Sequence, residues 1–384
     1  MVANFALSYN RKILRGAITA IEAFTYIHLY HCDHLQSELV FKSRRPKFDA
    51  VLLGACLPSL RLPVKFKGCR LPTVDTSGEI FPPPLPRVIT DDVLVGRHAA
   101  EYFLHRGFNR YLYFGYKHFH WSNLRLQGFR DALSSRGKSV AEITYDDSTS
   151  WDLAAAADAL TSRLVGEGGA PMAIFCANDT IAASVIESCQ HAGVPVPEQA
   201  AVLGVDDDQM YTQMRRPHIS SMQLQDERIG YKAMRLLLTL LERRAGVSSR
   251  RVPQILIPPH LIISRQSTDT VAADDPLVRR ATSYIRDHLH EGVNIKQLMH
   301  ALNTSRTTLE TRFKRSIGRR PGEEMRRQRM TRACDLLAST QSSVGEIARR
   351  VGFSSAQLFS ESFRRHHKMT PLAYRDAHRR VRFG

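Results

Sequence analysis

The sequence predicts a two-lobed α/β body followed by a smaller all-α module made of two helix-turn-helix units. Three observations predict it. Up to about residue 263, short β-branched or aromatic runs alternate with helix-length amphipathic stretches, the pattern of a parallel sheet flanked by helices. After Pro276 no strand pattern occurs, and one stretch repeats itself at an offset of 49 and then 50 residues. The charge divides the same way: of a formal +17, residues 276–384 carry 23 Lys and Arg against 9 Asp and Glu, while the rest of the chain is close to neutral at 31 against 28.

At 384 residues the chain exceeds one core at roughly 150 residues per domain. Its 43% hydrophobic content is enough for more than one. We divide it into a body over 1–263, a polar, unpatterned linker "SRQSTDTVAADDP" over 264–276, and a helical module over 277–384.

In the body, "DAVLLGA", "RYLYFGY", "PMAIFCAND", "AAVLGVDDD" and "QILIPPHLIISR" read as strands, each followed by polar or glycine punctuation. Between them, "RKILRGAITAIEAF", "VGRHAAEYFLHRG", "LRLQGFRDALSSRG", "TIAASVIESCQHAG" and "DERIGYKAMRLLLTLLERR" place apolar residues at i, i+3, i+4 and i+7. Several of these end at Gly, a helix stop signal.

In the module, "IKQLMHALNTSRTTLETRFKRSIGRRP" (Ile295 to Pro321) matches "VGEIARRVGFSSAQLFSESFRRHHKMTP" (Val344 to Pro371). Each unit reads as a short helix, a left-handed turn at Asn303 or Gly352, and a second helix capped by Thr304 or Ser305 in the first unit and by Ser354 in the second. The spacing buries Leu309, Phe313, Phe359 and Phe363. What stays outward is small and polar: Arg306, Thr307, Thr308, Glu310 and Thr311 in the first unit, and Ser355, Gln357, Ser360 and Glu361 in the second. Such side chains can meet base edges in a major groove, where Gln suits adenine, Arg guanine and Glu the cytosine amine; the competing reading is an ordinary solvated helix face. Arg364, just after them, suits a phosphate. Pro321 to Ala338, 18 residues between the units, would span about 27 Å as a helix, of the order of one B-DNA turn at about 34 Å. Clustered cations beside a near-neutral body fit a polyanion such as duplex DNA. An anionic membrane is the alternative, and it requires an amphipathic helix with a wide apolar face.

Ile347, Ala348, Gly352, Phe353, Ser355, Phe359, Phe363, Arg364, Thr370, Pro371, Tyr374 and Arg375 give the module a resemblance to the AraC/XylS-type double helix-turn-helix domain. It departs from that pattern at Lys368, where the family has Gly and the first repeat keeps Gly318. A lysine held there at positive φ costs about 1 kcal/mol.

The body resembles the sugar-binding lobes of LacI/GalR-type regulators and periplasmic binding proteins, through "VITDD" before a helix, "RLQGF" within one, "CAND" and "VLGVDDD" at strand ends, and "SYNRKILRGA" near the start. The resemblance implies a sugar in the crevice at the strand C-termini, held by Arg11, Asp91, Arg125, Asn178 and Asp206, with Trp121 as a platform for its C–H face. Only eight residues precede Tyr9, so the first strand is expected to be short and the start truncated relative to such proteins. A sugar-binding body ahead of an AraC-type tail is the arrangement of the xylose operon regulators. That resemblance implies a regulator, an activator of pentose catabolic genes, with a pentose effector, D-xylose, and duplex operator DNA as ligands. It also implies a second copy of the chain as partner in a homodimer, and RNA polymerase as a further partner of an activator. A regulator of another sugar and a sugar-independent architectural DNA-binding protein are the alternatives.

An enzyme would need a nucleophile with its base, or a metal set. "HLYHCDH" (His28, His31, Cys32, His34) lacks zinc spacing, and "GVDDD" has no phosphate-cradling glycine loop beside it. Cys32, Cys56, Cys69, Cys176, Cys189 and Cys334 are scattered without a C-x-x-C pair, which fits reduced thiols in a cytoplasm. No cofactor, metal or membrane contact is expected, and the longest apolar run falls far short of about 18 residues.

Overall fold

The computed structural model describes residues 1–33, 48–55, 71–79, 85–145, 151–166, 171–214, 216–242, 253–270 and 275–376. His34, Cys56 and Cys69, the linker residues 271–274 and the end of the module at 377–384 lie outside the described residues.

In chain order the elements are β1 (Val2–Ala3), α1 (Ser8–Ile21), β2 (Cys32–Asp33), β3 (Val51–Leu53), β4 (Thr73–Asp75), β5 (Arg87–Thr90), α2 (Asp92–Leu104), β6 (Arg110–Tyr116), α3 (His120–Ser134), β7 (Ala141–Tyr145), α4 (Trp151–Gly166), β8 (Met172–Cys176), α5 (Asp179–His191), β9 (Ala200–Val205), α6 (Gln209–Thr212), β10 (Ser220–Met222), α7 (Asp226–Glu242), β11 (Gln254–Ile257) and β12 (Ile262–Ile263). The helical module follows with α8 (Pro276–Asp287), α9 (Ile295–Ala301), α10 (Arg306–Ile317), α11 (Pro321–Ser339), α12 (Val344–Arg350) and α13 (Ala356–His367).

The body strands form two sheets among the described residues, in the orders β11-β5-β4-β3-β1-β2 and β12-β10-β9-β8-β6-β7. All pairings are parallel except β10 with β12. Because the strands of such sheets are covered by helices on both faces, they read as continuous apolar runs; β8 and β9 are buried along their whole length. The run "QILIPPHLIISR", expected as one strand, is two. β11 extends the first sheet and β12 the second, because Pro258 and Pro259 supply no backbone donor to a ladder.

The chain passes between the lobes three times, after β5, β10 and β11. These connections run side by side: the amide of Asp91 donates to the carbonyl of Ile257 at 2.8 Å, that of Gln223 to Leu261 at 2.8 Å, and that of His260 to Gln223 at 2.9 Å.

In each lobe one helix pair crosses on glycines. A Cβ on Gly96 of α2 would stand 2.0 Å from the carbonyl oxygen of Arg125, and one on Gly128 of α3 1.9 Å from that of Val93. Gly16 of α1 and Gly230 of α7 make the same approach in the first lobe. Without side chains at the crossing the helix axes come close, and α3 is held with Arg125 against the start of α2.

The first half of the segment read as a linker is docked on the second lobe. Arg265, Ser267, Thr268, Asp269 and Thr270 are buried, and residues Gln266–Thr268 form a 3-10 turn. The amide of Ser220 donates to Ser267 Oγ at 2.8 Å, so the polar composition that suggested a loose connection here serves hydrogen bonds to a sheet edge.

Candidate functional site

The C-terminal ends of the strands of both lobes face a cleft of about 210 Å³. Its second-lobe wall is aromatic: Tyr116 ends β6, and Phe119 and Trp121 begin α3, with ring centroids 4.9 to 5.5 Å apart. Arg125, one turn further along α3, is buried and fixed. Its Nε donates to Asp92 Oδ1 at 2.8 Å, one Nη donates to the carbonyl of Ala177, and its guanidinium stands 4.7 Å from the centre of the Trp121 ring. Asn178 caps α5, accepting from the amide of Ile181 at 3.0 Å while its Nδ2 donates to the hydroxyl of Tyr116 at 3.2 Å.

Asp206 follows β9 at φ 104° and Asp207 at φ 47°, two successive non-glycine residues in left-handed backbone at a cost of about 1–3 kcal/mol each. The turn is held from several sides. Asp206 donates its amide to the carbonyl of Met222 at 2.9 Å, Asp207 to Ser221 Oγ at 3.0 Å, and Asp208 to Asp179 Oδ2 at 2.8 Å. Asp92, Asp179 and Asp206 all line the cleft. Burial pushes the Asp206 carboxyl up to about 7, with the Arg125 guanidinium pulling it back. Burial also raises Asp179 well above the usual carboxylate range, and the neighbouring Asp206 charge adds to it. Carboxylates, an amide and a guanidinium at fixed positions beside an aromatic wall can order the hydroxyls and the C–H face of a small polyol. The cleft is smaller than the about 300–1,000 Å³ of pockets for drug-sized ligands.

Of the six residues expected around a sugar, the structure brings Trp121, Arg125, Asn178 and Asp206 together. Arg11 and Asp91 stand apart. Arg11 is the exposed neighbour of a cleft-lining turn, and its guanidinium donates to the carbonyls of Phe5 at 2.7 Å and Ala6 at 2.6 Å. Asp91 is the N-cap of α2, its Oδ1 taken by the amide of Leu94 at 3.0 Å. Asp92 lines the cleft instead, and the signal was available: in an Asp-Asp pair before a helix the first residue caps, leaving the second free. Tyr9, Ser77, Asp179 and Tyr116 also line it without having been expected. Tyr9 is anchored from the first lobe by its hydroxyl, which donates to the carbonyl of Thr76 at 2.6 Å.

The helical module has its own core, in which Leu309, Phe313, Phe359 and Phe363 are fully buried. Asn303 at φ 47° and Gly352 at φ 78° make the expected left-handed turns. At Gly352 a Cβ would also lie 2.4 Å from the carbonyl oxygen of Leu289. In the first unit Ser305 caps α10 by accepting from the amide of Thr308 at 3.1 Å. In the second the cap is Ser355, accepting from Leu358 at 3.2 Å, and not Ser354; α13 starts one residue later than the repeat suggested. Lys368 ends α13 in left-handed backbone at φ 60°, as Gly318 ends α10 at φ 72°.

The expected base readers are outward. Arg306, Thr307, Thr308 and Thr311 are exposed and Glu310 is half-buried, its Oε1 accepting from Arg306 Nε at 2.8 Å. Ser355, Gln357, Glu361 and Arg364 are exposed and Ser360 half-buried, with Gln357 Nε2 donating to Glu361 Oε1 at 3.3 Å. The last turn of α13 is basic through Arg364, Arg365, His366 and His367. Among the described residues, no helix is long and apolar enough to cross a membrane.

Comparison with known proteins agrees with both halves. Residues 100–268 match a periplasmic binding protein-like domain and residues 298–377 a helix-turn-helix domain. The chain is 29% identical over 308 residues to the xylose operon regulatory protein of Escherichia coli (strain K12), covering 78% of this chain and 76% of that one. It is 28% identical over 316 residues to the protein of the same name from Haemophilus influenzae, covering 79% of each. Among solved structures, that of a xylose-binding transcription activator superposes with a TM-score of 0.72 at 25% identity over 98% of this chain and 97% of that chain. A transcriptional regulator in complex with cellobiose shares the fold of the body at a TM-score of 0.56 and 21% identity, covering 69% of this chain and 83% of its own. These relatives are regulators of transcription and not enzymes. With a ligand cleft between two lobes and a duplicated helix-turn-helix behind it, the chain is a sugar-responsive transcription regulator that resembles, domain for domain, the AraC-type regulators carrying a periplasmic binding protein-like sugar-binding domain.

Proposed function

We propose that this regulator is a D-xylose-responsive activator of pentose catabolic genes, acting in the cytoplasm as a homodimer that binds duplex operator DNA and engages RNA polymerase. The observation that carries the reading is the small cleft at the strand ends, in which Arg125, Asn178, Asp206 and the Trp121 ring stand together with Asp92. The names of the relatives supply the sugar. In this reading Arg125, Asp92 and Asp206 hold the hydroxyls of the pentose, Asn178 orients it and Trp121 carries its C–H face. Residues 1–263, with the docked segment behind them, form the sensor, and residues 277–384 form the DNA-binding domain. Arg306, Thr307, Thr308, Glu310, Thr311, Ser355, Gln357, Ser360 and Glu361 supply the base contacts, and Arg364 a phosphate contact.

The test is a thermal-shift and calorimetric screen of the full chain against D-xylose, L-arabinose, D-ribose, D-glucose and D-galactose. At a hundred times its dissociation constant the true effector adds about 2.7 kcal/mol of stability. D-xylose is expected to give the largest shift and to change the affinity for a duplex that the chain itself selects from random sequence. A larger response to another sugar would replace xylose, and no response to any sugar would favour the architectural reading.

A further inference from the structure

Behind the cleft, the body and the helical module are joined by a buried set of ion pairs that neither sugar binding nor base reading uses. We propose that the contact between Asp269 of the sensor and Arg327 of the module is the coupling contact through which the state of the sugar cleft sets the position of the first recognition helix. This rests on the functional reading above.

The path runs unbroken through backbone, hydrogen bonds and ion pairs. Asp206 lines the cleft, and the next residue, Asp207, turns its carboxylate away to accept from Arg265 Nη2 at 2.6 Å. Arg265 is buried and donates through Nη1 to the carbonyl of Ile219 at 2.8 Å, while its amide donates to Ser220 Oγ at 2.7 Å. The 3-10 turn that follows delivers Asp269, whose Oδ1 accepts from Arg327 Nη2 at 2.9 Å across the domain boundary. Arg327 also grips Glu324 at 2.7 Å, and Glu324, with no exposed side-chain surface, pairs with Arg319 at 2.9 Å. Arg319 is the second residue beyond α10, the first recognition helix, and sits next to its left-handed C-cap, Gly318.

The same interface can be remade. A cavity of about 680 Å³ lies in it, lined by Gln266 and Asp269 from the sensor and Gln328, Arg332, Asp335 and Arg350 from the module. A polar contact around a cavity of this kind has alternative arrangements of similar energy, whereas a close-packed apolar core has one. At the cleft end, the left-handed backbone of Asp206 and Asp207 is a strained element that a ligand on Asp206 can bias, and Arg265 feels any rotation of Asp207 directly.

The experiment compares full-length wild type with Asp269→Asn, Arg327→Gln and the double variant, using D-xylose as the sugar and a duplex selected by the wild-type chain. Each is titrated with the duplex without sugar and at saturating sugar. In wild type the two affinities differ; in either single variant their ratio is expected to fall to within about twofold of one, with no further fall in the double variant, while sugar affinity by calorimetry stays within about twofold of wild type. A single variant that keeps the full wild-type ratio, or a double variant whose loss is the sum of the two, overturns the proposal. A readout without sugar separates this from failure of the functional reading: if wild type ignores D-xylose that reading falls, yet Arg327→Gln is still expected to raise amide exchange across residues 264–270. Unchanged exchange there overturns the contact. Should Arg327→Gln not fold, Asp269→Asn keeps the side chain's size, leaves Arg327 its Glu324 partner and carries the same test.

Discussion

Lys12 of the first lobe donates to the backbone carbonyl of Asp206 in the second at 2.7 Å, and the same ammonium stands 3.5 Å from Asp226 Oδ2. One side chain therefore bridges the lobes at the strained end of β9. Lys12→Met removes a charged hydrogen bond worth about 1.5–3 kcal/mol that holds the two lobes together beside the cleft, so sugar affinity should fall about tenfold or more. Calorimetry with D-xylose checks this, and an affinity within a factor of about two of wild type would exclude the bridge from closure.

Asp206 gives a pH dependence of defined sign. Its carboxyl is held at about 7, above the ordinary value of 3.8, so the fold favours the protonated form and sugar-free stability should decline as pH rises toward 7. Sugar affinity should run the other way, rising as the carboxylate that accepts hydroxyls forms, by at most about tenfold per pH unit. Asp206→Asn should flatten both curves, and Asp206→Ala should weaken sugar binding at least about tenfold with sugar-free DNA affinity unchanged. Calorimetry and thermal melts across about pH 5 to 8 decide it; a variant that binds sugar as wild type does removes Asp206 from the ligand set.

Lys368 occupies a glycine position at φ 60°. Lys368→Gly should stabilise the helical module by about 0.5–1 kcal/mol, read as a higher denaturant midpoint at unchanged slope. A loss of stability would mean that the lysine side chain repays its backbone strain.

Gln357 and Arg364 share α13 but differ in expected role. Gln357→Ala should cost about 1–3 kcal/mol at the preferred duplex and relax one base position in a selection experiment. Arg364→Ala should weaken all duplexes alike and lower the slope of log affinity against log salt by about one. An unchanged consensus for Gln357→Ala takes Gln357 off the list of readers.

The helices and the long strands of the body were legible because burial on fixed faces writes a period into the sequence; α2, α3, α5 and α7 lie within a few residues of their expected positions. The two- to four-residue strands β1, β2, β4, β5 and β10 carry too few residues for any period to register. Site residues depended on local geometry that a motif does not encode. Arg11 was expected in the cleft, yet with α1 beginning at Ser8 it turns back to the carbonyls before the helix, and Lys12, about 100° further round, reaches the other lobe. The module was the most legible part because it is written twice, and its one misplacement, Ser354 for Ser355, arose where the second copy is longer by a residue.

The three side-by-side passages between the lobes have a mechanical consequence. Three adjacent tethers, laced together by the bonds of Asp91 to Ile257 and Gln223 to Leu261, leave the lobes free to swing about one axis and resist twist and slide. Opening of the cleft is then a single angular coordinate. The last tether runs straight through β12 into Arg265 and Asp269, so the output lever leaves the hinge fastened to the second lobe alone. A regulator built this way needs no signal carried through the lobe cores, and substitutions deep in either hydrophobic core should change its stability while leaving the swing and its readout intact.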